Sequence, residues 1–197
     1  MRKLEVFAIA SFLLVSTAAN AGWQEQASRF DAQRLSRLDE SRAKGLDEAS
    51  RGAPAADLAA IRSVLDAPAV EASSSAVEGA WRCRTIKLGG ITPDVVYGWF
   101  RCRISLKGGA PYFEKLTGSQ RTSGFLYPQG GGFVYLGASY VIGEQPHAYS
   151  GNGAEAGAGA TPDDQIGLFS LLADGRARLE LPYPRLESTF DVIELRR

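Results

Sequence analysis

The side chains best placed to do chemistry sit in a near-repeat, Trp81-Arg82-Cys83-Arg84 and then Phe100-Arg101-Cys102-Arg103. These copies hold the chain's only two cysteines, each flanked by arginines and preceded two residues earlier by an aromatic. Alternate residues of a strand face opposite sides. Each copy therefore puts an aromatic and a cysteine on one face and two guanidiniums on the other. The pattern predicts two antiparallel neighbours joined by a Cys83–Cys102 disulfide, with Cys83 opposite Cys102, Arg82 opposite Arg103 and Arg84 opposite Arg101. No CxxC motif is present, so the bridge is expected to be structural rather than redox-active.

Arg82, Arg84, Arg101 and Arg103 form the candidate anion site. Like charges facing each other on a sheet repel. A bound anion or acidic partner would balance them through forked hydrogen bonds. Acidic side chains of a neighbouring strand, Asp191 or Glu194, would do so equally well if the sheet closes. The second candidate is the Gly- and Ala-rich segment 143–164, a lid or a simple connection, carrying His147 and Tyr149. His147 is the sole histidine, which excludes a multi-histidine metal site. Asn152, Glu155, Asp163 and Asp164 lack EF-hand spacing. No G-x-S-x-G elbow, phosphate loop or dinucleotide fingerprint occurs. The chain is thus expected to be non-enzymatic, with no catalytic residues, metal or cofactor.

The elements that must position these groups differ between two parts of the chain. Residues 22–66 are poor in glycine and place Phe30, Leu35, Leu38, Leu46 and Ala49 near one helical face. Gly52-Ala53-Pro54 then breaks the helix, and Leu58, Ile61 and Leu65 stripe a second one. This helical hairpin either packs on the main domain or serves as a detachable docking arm. Residues 67–78, with Ser73-Ser74-Ser75, read as a linker. From Gly79 the texture is β, with strands expected over 80–88, 95–106, 111–117, 119–127, 132–142, 165–173, 176–181 and 189–196. Asp174-Gly175 is a hairpin signal, and Leu181-Pro182-Tyr183-Pro184 enforces an extended, non-ladder segment. The fold class is mainly β with N-terminal helices (α+β). Residues 79–197 form an eight-stranded antiparallel up-and-down barrel or a strongly curved sheet.

Residues 1–21 read as an export signal. Arg2 and Lys3 precede an apolar stretch from Val6 to Thr17, and Ala19-Asn20-Ala21 is an A-x-A cleavage site. The apolar stretch is too short to span a bilayer, which takes about 20 residues. Cleavage after Ala21 would deliver the protein to the periplasm or the exterior, where disulfides persist. The remaining chain carries 20 basic and 21 acidic residues. It lacks the basic excess of a nucleic-acid binder, and no stable membrane insertion is expected after cleavage.

Several stretches resemble an exported proteobacterial family known only as a domain of unknown function. They are Gly79-x-Trp81-x-Cys83-Arg84, Trp99-Phe100-x-Cys102-Arg103-Ile104, Ile166-Gly167-Leu168, Leu181-Pro182-Tyr183-Pro184, Glu187-Ser188 and Asp191-Val192-Ile193-Glu194-Leu195. That resemblance implies no activity. Gly79-Ala80-Trp81 is also similar to the G-x-W start of lipocalins and related calycins. This likeness implies that Arg196 packs on Trp81 and that the barrel binds a small apolar or anionic ligand. Barrel-type bacterial protease inhibitors are similar in layout too, which makes an inhibitor or envelope protein-interaction module the alternative, ahead of a hydrolase of unknown type.

Overall fold

More and less buried side chains alternate along residues 79–84, 100–104 and 110–115, and the inward set closes on itself. The computed structural model describes residues 22–151 and 163–197; the expected export signal and much of the candidate lid lie outside them. Eight antiparallel strands form the wall: β2 (Gly79–Leu88), β4 (Phe100–Lys107), β5 (Ala110–Lys115), β6 (Gln120–Gln129), β7 (Gly132–Val141), β8 (Asp164–Leu172), β9 (Ala177–Pro182) and β10 (Phe190–Arg196). Each pairs with the next, and β10 pairs back with β2, closing an up-and-down barrel. Closure leaves no free edge along this wall. Two short strands add to it. β1 (Ala69–Val70) pairs with β8, and β3 (Asp94–Val96) with the end of β2.

One end of the barrel is filled. Trp81, Ile104, Phe113, Leu126, Phe133, Tyr135, Phe169, Leu179 and Leu195 pack there with the two cysteines. Val77, on the one-turn helix α5 (Ser74–Val77), closes that end, and its carbonyl accepts a hydrogen bond from Trp81 Nε1 at 2.9 Å. The stretch expected to be a linker thus holds β1 and this plug. Arg197, rather than the expected Arg196, stacks on Trp81, with its guanidinium 4.4 Å from the ring centre. Arg196 is one residue out of phase and points outward to Trp99.

The Cys83–Cys102 disulfide forms, with a Cα–Cα distance of 5.9 Å. Its register differs from expectation. Trp81 pairs with Cys102 and Cys83 with Phe100, so the bridge runs diagonally and Arg82 lies opposite Arg101. A disulfide accepts Cα separations of 4.4–6.8 Å, which direct and diagonal neighbours both satisfy. The two-residue offset leaves every side chain on the expected face. Tying residues 19 apart stabilises by about 3 kcal/mol in the chain-entropy picture.

Among the described residues the N-terminal part comprises four helices: α1 (Trp23–Gln26), α2 (Arg29–Ser36), α3 (Leu38–Ser50) and α4 (Ala55–Leu65). The expected first helix is broken twice, at Ala27-Ser28 and at Arg37. All four lie on the outside of the barrel. Leu38, Ala49, Ile61, Val64 and Leu65 cover Ile86, Leu88, Phe190 and Val192. Ala27, with Trp23, Ala32 and Leu35, covers Val134, Leu136 and Ile166. Residues 86, 88, 190 and 192 are thereby buried outside, while Asp191 and Ile193 are buried inside and Thr85 and Lys87 half-buried there. A strand covered on both faces reads as a nearly continuous apolar run.

Candidate functional site

The inward alternation of β2 continues past the apolar filling to Thr85 and Lys87. On β5 it reaches Lys115, on β6 Thr122, on β8 Gln165 and on β10 Asp191. All of these line a cavity of about 320 Å³ at the end opposite the plug. Its Thr122 hydroxyl lies 2.6 Å from that of the fully buried Tyr135 and also reaches the Gln165 carbonyl oxygen. The β6–β7 wall beside it is thinned by Gly124 and Gly137, which face each other across the ladder. A Cβ on Gly124 would lie 2.2 Å from the Leu136 carbonyl oxygen.

The rim is a built structure. The segment after β9 expected to be extended instead turns sharply, with Tyr183 at φ 43° and Glu187 at φ 71°. Non-glycine residues in this region carry about 1–3 kcal/mol of strain each and persist only where surroundings hold them. Helices α2 and α3 hold Tyr183, and the Ile91 N–H, donating to the Glu187 carbonyl at 2.9 Å, holds Glu187. Arg34 donates to the Tyr183 carbonyl at 3.0 Å, the Tyr183 N–H donates to Ser41 Oγ at 3.0 Å, and the Tyr183 hydroxyl donates to Glu40 at 2.8 Å. Beside it the Tyr149 hydroxyl donates at 2.6 Å to Asp31, the carboxylate that pairs with Arg34, and accepts from the Ser28 N–H at 2.9 Å. Burial raises the Tyr149 hydroxyl further above its ordinary range, keeping it a donor. Tyr149 is thus an anchor of segment 143–151 on α2. His147 stands on the rim, half-exposed, 4.0 Å from Glu144.

The charges of the lining are unevenly satisfied. Among the described residues five carboxylates line it, and each accepts a hydrogen bond: Glu144 from the Val141 N–H, Asp163 from Ser139, Asp164 from Ser150, Glu187 from Lys87 and Asp191 from Ser188. Lys115 has no such partner. It is 7% exposed, its ammonium sits 4.5 Å from the Phe100 ring centre, and no carboxylate or carbonyl among the described residues pairs with it. Burial, with the charge of nearby Lys87, lowers its pKa from 10.5 to about 8. For Lys87 burial acts the same way, but the Glu187 hydrogen bond and the charge of Asp191 outweigh it and raise the pKa. Burial pushes the Asp191 carboxyl up to about 6.

The residues singled out in the sequence lie elsewhere. Arg82, Arg101 and Arg103 are exposed on the outer wall and Arg84 is half-buried there. Arg84 pairs with Glu194 at 2.6 Å and Arg103 with Glu114 at 3.0 Å. Asp191, offered as a countercharge to them, points into the barrel instead, because it is in phase with Ile193 and Leu195. Asn152 and Glu155 lie outside the described residues. The inward lysines went unnoticed in the sequence, although Lys87 and Lys115 continue the alternation of Trp81-Cys83 and Phe113.

A domain of unknown function, DUF4893, matches residues 23–195. The chain belongs to this family. The match takes in the helices, the plug, the barrel strands as far as Leu195 and every described residue lining the cavity. No curated protein and no solved structure matches the chain.

Proposed function

We propose that this DUF4893 protein is a non-catalytic binding protein whose open barrel mouth holds a small anionic molecule, with the Lys115 ammonium as its principal contact. The observation carrying this reading is the asymmetry of the lining, in which every carboxylate has a donor and the most buried ammonium has no acceptor. Keeping Lys115 charged at neutral pH costs the fold about 3 kcal/mol, by the conversion of its pKa displacement. Such a cost is tolerated where function needs the group. The Gln165 amide nitrogen and the Thr85 hydroxyl add donors without assigned acceptors among the described residues. A cavity of about 320 Å³ is at the small end for ligand sites. Aromatic packing fills the half of the barrel that an apolar ligand would need, which favours the anionic over the apolar occupant.

The disulfide suits an oxidising, extracytoplasmic compartment, which fits the export signal read in the sequence. Among the described residues no helix is long and apolar enough to cross a membrane.

The test is thermal denaturation at pH 7 against mono- and dicarboxylates, phosphate monoesters, their neutral amides and a fatty acid. At least one small acid should raise the Tm of the wild type while its neutral amide does not. Lys115→Met should be more stable than wild type without ligand and should lose the response to the acid. Stabilisation by the fatty acid alone, or an undiminished response in Lys115→Met, contradicts the reading.

A further inference from the structure

On the outer wall the register sets three arginines side by side. Arg196 on β10 pairs with Arg82 on β2, and Arg82 pairs with Arg101 on β4. Neighbouring strands lie about 4.8 Å apart, so the three backbone positions span about 10 Å in one row. All three side chains are exposed, because their neighbours Trp81, Cys83, Cys102 and Leu195 point inward.

Like charges directly opposite each other destabilise a sheet, and elsewhere this face answers them with carboxylates. Arg84 has Glu194 and Arg103 has Glu114. Arg82 and Arg101 have no carboxylate partner among the described residues. Trp99 lies at the end of the row, with the Arg196 guanidinium 3.8 Å from its ring centre and that of Arg84 at 4.9 Å. Stacking holds the Arg196 fork in a fixed plane beside Arg82. Planar forks at this spacing suit bidentate hydrogen bonds to tetrahedral oxyanions.

We infer that Arg82, Arg101 and Arg196 form a second binding site, distinct from the barrel mouth, for a phosphate group or a linked pair of phosphates. Phosphate is favoured over carboxylate because a row of three forks offers more donors than one carboxylate accepts. A diphosphate has the charge and the length to reach from one end of the row towards the other.

Trp99 is the reporter. Titration of the wild-type protein with inorganic pyrophosphate at constant ionic strength should change tryptophan fluorescence saturably. The midpoint should rise at least tenfold in Arg82→Ser and in Arg101→Ser. It should stay unchanged in Arg62→Ser, an exposed α4 arginine of equal charge, and in Lys115→Met, which separates this site from the cavity. A second arm uses phosphatidylcholine vesicles with and without phosphatidate. Arginine-dependent binding confined to the phosphatidate vesicles assigns the phosphate to a lipid headgroup, whereas a response to pyrophosphate assigns it to a soluble ligand. Absence of binding in both arms, or an equal loss in Arg62→Ser, overturns the site.

Discussion

Charged side chains inside a barrel are costly, and Asp191 and Lys115 place that cost in different pH windows. Asp191 is buried and titrates near 6, above the ordinary carboxyl value of about 3.9. The folded state therefore holds its proton more tightly than the unfolded chain, and ionisation destabilises the fold as pH climbs from about 4 through 6. Lys87, Glu187 and Ser188 surround it and act on the same carboxyl. Wild-type protein should thus lose about 2 kcal/mol relative to Asp191→Asn between pH 4 and pH 7. Urea denaturation at both pH values checks this, and an equal pH dependence in the two proteins contradicts it. Lys115 works in the opposite sense, its penalty full below pH 8 and absent above about 10.5. These inward charges were legible in principle. Lys87, Lys115 and Asp191 are in phase with neighbours that plainly belong to the core. What hid them is that a charged residue near a strand end reads as solvent-facing, and only closure of the barrel decides otherwise.

At the scale of elements, strand positions were readable because alternation and turn glycines set them locally. Expected strands 111–117 and 132–142 appear as β5 and β7 within two residues at each end. The expected strand 95–106 divides into β3 and β4. Ile86 pairs with Val96 while Gly79 pairs with Ile104, so one extra residue is accommodated between them near Tyr97-Gly98-Trp99. A bulge of this kind re-aims the wall, and no composition signal announces it. Helix α3 is long because α4 and β10 cover its apolar face, although its sequence contains Gly45. There a Cβ would lie 2.8 Å from that of Phe190, so the glycine allows the helix to sit against the sheet. Inside the barrel the equivalent close approach is Gly124 on Gly137. Gly124→Ala should push β6 from β7 and destabilise by about 1–3 kcal/mol. Equilibrium denaturation measures this, and a neutral substitution would mean that the two strands are not so closely apposed.

The whole molecule divides into a sealed, aromatic-filled end and an open, polar end, with helices bracing one side of the wall. The sealed end accounts for the near-repeat that dominates the sequence, since Trp81, Cys83, Phe100 and Cys102 all contribute to it. The open end has no comparable sequence motif. Its lining comes from seven barrel strands, the rim loop after β9, the segment after β7 and Arg34 in the last turn of α2, brought together only by closure. Fold class was therefore accessible from local pattern, whereas the site depended on pairings between β2 and β10, which lie about 110 residues apart (Arg84 and Glu194). The central claim is that the Lys115 ammonium receives an anion from solvent. Its most direct measurement is the NMR titration of the Lys115 Cε resonance, assigned by Lys115→Met, with and without the acid that gives the largest Tm rise. The free protein should titrate near pH 8, and saturation with the acid should move the midpoint upward by a unit or more. A midpoint unchanged by the acid would contradict the account.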